Sequence, residues 1–112
     1  MTKINSFEAF LRDKVLEKTA GAPQKIADGI KYCLFDGGKR LRPSSLIAAA
    51  EMYSEADESV MYFAAAVECY HNFTLVHDDL PCMDDDDMRR GKPSCHKVYG
   101  EGQAGLIGDA LL

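Results

Sequence analysis

At 112 residues, with 46% hydrophobic and 28% charged side chains, this sequence has room for one small globular domain and is too apolar to be disordered. Its formal charge of −5 at pH 7, concentrated in one acidic run, argues against nucleic acid as a partner. Cys33, Cys69, Cys82 and Cys95 form no CxxC pair, so they suggest neither a zinc module nor a disulfide framework, and a reducing cytoplasm is the simplest setting.

The elements read as helices in chain order. Asn5 with Glu8 makes a capping pair, and Phe7, Phe10, Leu11 and Val15 follow at helical spacing to about Lys18. Gly21-Ala22-Pro23 ends that helix, and Pro23 suits the first turn of a second, whose stripe of Ile26, Ile30, Cys33 and Leu34 stops at Gly37-Gly38. Pro43 opens a third helix running to about Tyr53. A polar stretch, Ser54 to Glu58, precedes a fourth from Ser59 to about Leu80 that is apolar around most of its circumference and therefore belongs in the middle of a bundle. Pro81 disfavours its continuation, and a fifth helix begins near Gly102. The apolar ending, Gly105 to Leu112, predicts a helix cut short, and there is no strand-period alternation. The N-terminus has no signal-peptide core, and Glu68, His71 and Asn72 interrupt the longest apolar stretch, so no membrane span is predicted.

Six carboxylates, Asp78, Asp79 and Asp84 to Asp87, crowd one short segment that runs directly into Arg89-Arg90. Such carboxylates repel one another unless they are solvated or bridged by a divalent cation, and a hard ion such as Mg²⁺ prefers oxygen ligands. The arginine pair suits phosphate. Asp78 and Asp79 fall at the electronegative end of the fourth helix, an unfavourable place for a carboxylate without a cation. His71, Thr74 and Asp78 share one stripe of that helix, with His71 about 10 Å from Asp78 along the axis. Had the helix continued, Asp84 would point about 120° away from Asp78, but Pro81 lets the loop swing Asp84 back toward the same metal.

A second basic constellation, Gly37-Gly38-Lys39-Arg40-Leu41-Arg42-Pro43, is a glycine turn leading into a helix N-terminus, where backbone donors and cations converge on an anion. It is not a Walker A loop, because Cys33 stands where the first glycine is required and Arg40 replaces Ser/Thr. Two basic sites and one acidic site imply two phosphorylated ligands, at least one of them held through metal.

These segments, together with Glu68-Cys69-Tyr70-His71 and Arg89-Arg90-Gly91-Lys92-Pro93, resemble the trans-isoprenyl diphosphate synthases over essentially the whole chain, and among them the bacterial farnesyl diphosphate synthases, or geranyltranstransferases. The resemblance implies an all-α fold, with residues 1–112 as the N-terminal part of a single isoprenoid-synthase bundle of about five helices. It also implies Mg²⁺-dependent condensation of isopentenyl diphosphate with an allylic diphosphate. Lys39, Arg42, His71 and Arg90 would bind isopentenyl diphosphate and Arg89 the allylic diphosphate. Asp78, Asp79 and Asp84 would be catalytic, with Asp78 and Asp84 as the metal ligands. Phe73 and Thr74 would floor the product pocket, the aromatic ring favouring a fifteen-carbon over a twenty-carbon product. The family's second aspartate-rich motif does not occur in these residues, so the chain alone is expected to be inactive, and the family implies a homodimer.

Simpler readings attach to neighbouring residues. Asp85, Asp86 and Asp87 are as readily a solvated face as metal ligands, His77 and His96 are structural, Cys82 is a loop residue, and Arg40 is a surface or structural charge. Rival functions fare worse. A His77-Asp78 phosphohydrolase pair leaves Gly37 to Pro43 unexplained, and a calcium loop counted from Asp84 would place Met88 and Arg89 where Asp/Asn and Gly are needed. A non-catalytic subunit of a heteromeric prenyl synthase could have lost its first metal motif, whereas here that motif is intact.

Overall fold

The computed structural model describes residues 2–35, 38–55 and 57–112, with side chains from Ser6 onward. The described residues form six helices and one small hairpin: α1 (Thr2–Lys18), α2 (Gln24–Phe35), α3 (Leu41–Glu51), α4 (Glu58–Asp78), β1 (Met88–Arg89), β2 (Lys92–Pro93), α5 (Cys95–Tyr99) and α6 (Glu101–Leu111). The fold is all-α as the apolar spacing predicts. To the roughly five helices expected the structure adds Cys95–Tyr99, a turn of helix too short to show a period. The hairpin was equally invisible, since two-residue strands carry no alternation.

Helix boundaries follow local chemistry. Helix α1 starts at Thr2, so Asn5 lies inside its first turns and does not cap it; the Asn5 side chain, like Gly37 of the expected Gly37-Gly38 stop, lies outside the described residues. Pro43 sits in the first turn of α3, where its missing N–H costs nothing. Asp57 caps α4 by accepting the Val60 N–H at 3.2 Å.

Helix α4 packs against α1, α2, α3 and α6 around a core of Phe7, Leu11, Leu34, Ala64 and Ile107. It is central on one side only, for Phe63 is 66% exposed and Tyr62 and Tyr70 are exposed beside it. Helix α6 approaches its neighbours closely through small residues: a methyl group on Gly29 would overlap the Ile107 side chain, and one on Gly108 would overlap the His77 ring. His77 is fixed there by Gly105 C=O at 3.1 Å and Asp109 at 3.4 Å, a structural role as its sequence context suggests. No helix among the described residues is long and apolar enough to cross a membrane.

Gly108→Ala should therefore lower stability by roughly 1–3 kcal/mol, as overpacking does. Gly102→Ala, in the same helix but facing open space, should hold or raise it by about 0.5–1 kcal/mol. Urea unfolding of the two variants separates these outcomes, and equal effects would contradict the close approach of α6 to α4.

Candidate active site

The site is organised from Arg40, which sequence alone leaves between a surface and a structural charge. It is 5% exposed and stands at the N-cap of α3 in the left-handed region, φ 56°. Its Nη1 donates to Glu68 Oε2 at 2.6 Å, its Nη2 to Leu34 C=O at 2.5 Å, and its Nε to Glu8. One guanidinium thus joins α1, α2, α3 and α4. Burial alone would lower its pKa, but the bonds to Glu8 and Glu68 outweigh burial and raise it, so the cation is secure. Glu68, 1% exposed, also accepts from Asn72 Nδ2 at 3.3 Å.

With Arg40 pinned inside, Lys39 and Arg42 on either side of it are exposed. They line a cleft of about 300 Å³ together with His71, Arg89 and Arg90. Four residues assigned by resemblance to one diphosphate, Lys39, Arg42, His71 and Arg90, are therefore brought together from three separate segments. Arg42 Nη1 lies 3.3 Å from His71 Nε2. Arginine can only donate, so Nε2 accepts and His71 is neutral with its proton on Nδ1. Its pKa is accordingly lowered, first by burial and then by Arg42, with Arg90 and Arg89 adding to this and Glu68 opposing it.

Arg90 reaches the cleft by way of the hairpin. Arg89 pairs with Lys92 across β1 and β2, so Arg90 and Gly91 are the two turn residues, at φ 56° and 79°. Two successive positive φ values mark the type I′ turn, whose twist matches a tight hairpin. Arg90 Nη1 then donates to Cys33 C=O at 3.2 Å, which ties the hairpin to α2.

The acidic run divides into two kinds of residue. Asp79 is 2% exposed, and its Oδ2 and Oδ1 accept from Arg89 Nε at 2.6 Å and Nη2 at 2.8 Å. With both oxygens accepting from Arg89 and almost no exposure, Asp79 is placed to hold that arginine. Arg89 in turn has two of its three nitrogens committed, and the fork holds it at the edge of the cleft.

Asp78 and Asp84 are both exposed. The Asp84 N–H donates to Asp78 C=O at 2.8 Å, while the Met83 and Asp85 N–H groups donate to Leu80 C=O at 2.9 and 3.0 Å. The loop after Pro81 thus folds back onto the end of α4 and returns Asp84 to Asp78, as the proline break predicts. An exposed, all-oxygen pair at a helix C-terminus, with its neighbour Asp79 neutralised by arginine, fits a hard divalent cation.

Phe73 and Thr74 lie on α4 one turn before Asp78. Phe73 is half-buried, edge-on to Tyr70 and His77 with ring centroids 5.5 and 4.8 Å away. Thr74 Oγ1 donates to His71 C=O at 2.6 Å. The residues that sequence reasoning passed over are Arg40 and Glu68 as positioning groups. The available signal was Glu68 itself, since a carboxylate on the most apolar helix must find a buried cation.

The state of His71 has a measurable consequence. A bound anion favours imidazolium, which the free cleft disfavours, so binding takes up a proton and tightens as pH falls. From pH 8 to pH 6, the affinity of this chain for inorganic diphosphate should rise about three- to tenfold more than that of His71→Gln, which also cancels the titration of the ligand itself. Parallel titration curves for the two proteins would contradict this account of His71.

Comparison with known proteins agrees with the geometry. A match to the family described as "Polyprenyl synthetase" spans residues 23–112. A geranylgeranyl pyrophosphate synthase of Catharanthus roseus is 51% identical over 98% of this chain and 30% of its own length. A farnesyl diphosphate synthase of Bacillus subtilis is 42% identical over 96% of this chain and 40% of its own. The crystal structure of a geranyltranstransferase from Thermotoga maritima superposes with a TM-score of 0.89 at 37% identity, covering 98% of this chain and 40% of that one. The chain thus spans about a third of the length of these relatives, and it belongs to the polyprenyl synthetase family.

Proposed function

We propose that this chain is the N-terminal part of a prenyltransferase domain that joins isopentenyl diphosphate to an allylic diphosphate, dimethylallyl or geranyl. The observation that carries the reading is the cleft in which Lys39, Arg42, His71 and Arg90 converge, with Arg89 at its edge within the electrostatic reach of the exposed Asp78. Lys39, Arg42 and Arg90 bind the diphosphate of isopentenyl diphosphate, and His71 joins them on protonation. Arg89, oriented by Asp79, lies toward the allylic diphosphate. Asp78 and Asp84 hold Mg²⁺, which when bound neutralises the diphosphate that departs.

The allylic C–O bond breaks, its electron pair leaves with diphosphate, and the resulting cation is attacked by the double bond of the second substrate. The departed diphosphate then takes a proton from the condensed cation, which restores the alkene. Fixed cations set around the leaving oxygens favour that separation of charge, and no protein nucleophile is required. The exposed aromatic face of α4 at Tyr62, Phe63 and Tyr70 supports the expectation that further protein, including a second copy, completes the assembly.

The product assigned is farnesyl diphosphate, on the strength of Phe73 one turn before Asp78. A second reading, geranylgeranyl diphosphate, is favoured by the higher identity to the Catharanthus roseus protein. Incorporation of radiolabelled isopentenyl diphosphate distinguishes them. A chain completed to the length of its relatives should give a fifteen-carbon product with Mg²⁺ and none with chelator, Phe73→Ala should lengthen that product, and the 112-residue chain alone should not turn over. A twenty-carbon product that Phe73→Ala leaves unchanged would favour the second reading, and turnover by the short chain would overturn its assignment as part of a domain.

A further inference from the structure

The acidic run holds more carboxylates than Asp78 and Asp84 account for, and two of them face a histidine. Oxygens of Asp85 and Asp87 and a ring nitrogen of His96 all lie within 4.8 Å of one another. His96 is 7% exposed, yet its Nε2 has no hydrogen-bond partner among the described residues. Its Nδ1 lies 3.4 Å from Ser94 Oγ, and that hydroxyl already donates to Asp86 C=O at 2.7 Å. Ser94 has no second proton to give, so Nδ1 carries the ring proton and Nε2 is left with an unmet lone pair. A buried imidazole lone pair without a partner is costly unless something occupies it.

We propose that Asp85, Asp87 and His96 form a divalent-cation site of their own, separate from Asp78 and Asp84 and suited to a transition-metal ion. One imidazole with two carboxylates is a donor set for Zn²⁺, Mn²⁺ or Co²⁺, whereas Mg²⁺ avoids nitrogen. Metal–ligand bonds of about 2.0–2.2 Å require the three atoms to draw together by about 1 Å, which the two exposed carboxylates can do. Asp87 now meets Lys97 at 3.2 Å, an exposed ion pair that a cation displaces easily. Ser94, hydrogen-bonded to His96 Nδ1, fixes the ring as an outer partner fixes a metal-bound histidine. None of the three residues lines the cleft of Lys39, Arg42 and His71. Occupancy ties the acidic loop to α5 and so steadies Asp84 and the Arg89–Arg90 hairpin between them.

The test is titration of this chain with Co²⁺ in Mg²⁺-containing buffer without diphosphate, read by the visible d–d absorption and by the ¹⁵N resonances of His96. One equivalent should bind to the parent chain and to the Asp78→Asn/Asp84→Asn variant alike, with the His96 nitrogen signals shifted. Affinity should fall by about tenfold or more in Asp87→Asn, Asp85→Asn and His96→Gln. Asp85 and Asp87 are exposed, so their variants decide the matter even if His96→Gln fails to fold. No cobalt band up to millimolar metal, a band that survives Asp87→Asn and Asp85→Asn, or one lost in Asp78→Asn/Asp84→Asn would overturn the proposal.

Discussion

A single buried guanidinium sets the geometry of this domain. Arg40 is enclosed by Glu8, Glu68 and the Leu34 carbonyl, so the start of α3 cannot move without breaking contacts to three other helices. Such an enclosed ion pair is not a large net source of stability, because the cost of desolvating the charges offsets most of their attraction. Its effect is on position. Lys39 and Arg42 flank Arg40 and inherit its placement, and Glu68 lies one helical turn before His71 on α4. The cleft is thus the outer face of a network whose inner face is neutralised.

The same logic recurs at the acidic end. Asp79 and Arg89 form a second enclosed fork, which removes one carboxylate from a crowded segment and fixes one arginine. Among the described residues, three other than glycine, Arg40, Asp85 and Arg90, hold positive φ, and all three belong to the segments that build the basic cleft and the acidic loop. Each such residue costs roughly 1–2 kcal/mol and persists only where its surroundings over-determine it. At Arg40 the surroundings are the ion network, and at Arg90 they are the hairpin and the bond to Cys33. Local strain is thereby converted into the aim of two cationic side chains.

Much of this was legible in the sequence, and the failures have physical causes. The long helices were readable because Phe7, Leu11, Ile30 and Leu34 repeat at helical spacing, and the return of Asp84 to Asp78 followed from Pro81. The convergence of Lys39, Arg42, His71 and Arg90 was legible only through motif resemblance, since no periodicity relates residues so far apart. Helix α5 and the hairpin were lost because each is shorter than the period that would reveal it. The burial of Asp79 was hidden for a different reason: a carboxylate in an acidic run looks like its neighbours until the arginine ten residues later is seen to fold over it. Arg40 and Arg42 carry the same charge in the same turn, and only the tertiary partners Glu8, Glu68 and the Leu34 carbonyl tell the buried one from the exposed one.

The claim that Arg40 positions the cleft is tested most directly by replacing the buried pair together. Arg40→Met alone should destabilise by about 3–5 kcal/mol by stranding Glu68, and Arg40→Met/Glu68→Met should recover most of that loss. The double variant has the same net charge as the parent, so its affinity for inorganic diphosphate reports placement and not charge. A folded double variant that binds diphosphate about tenfold more weakly is the predicted result. One that is stable and binds as the parent does would show that Lys39, Arg42 and His71 are held by something other than Arg40.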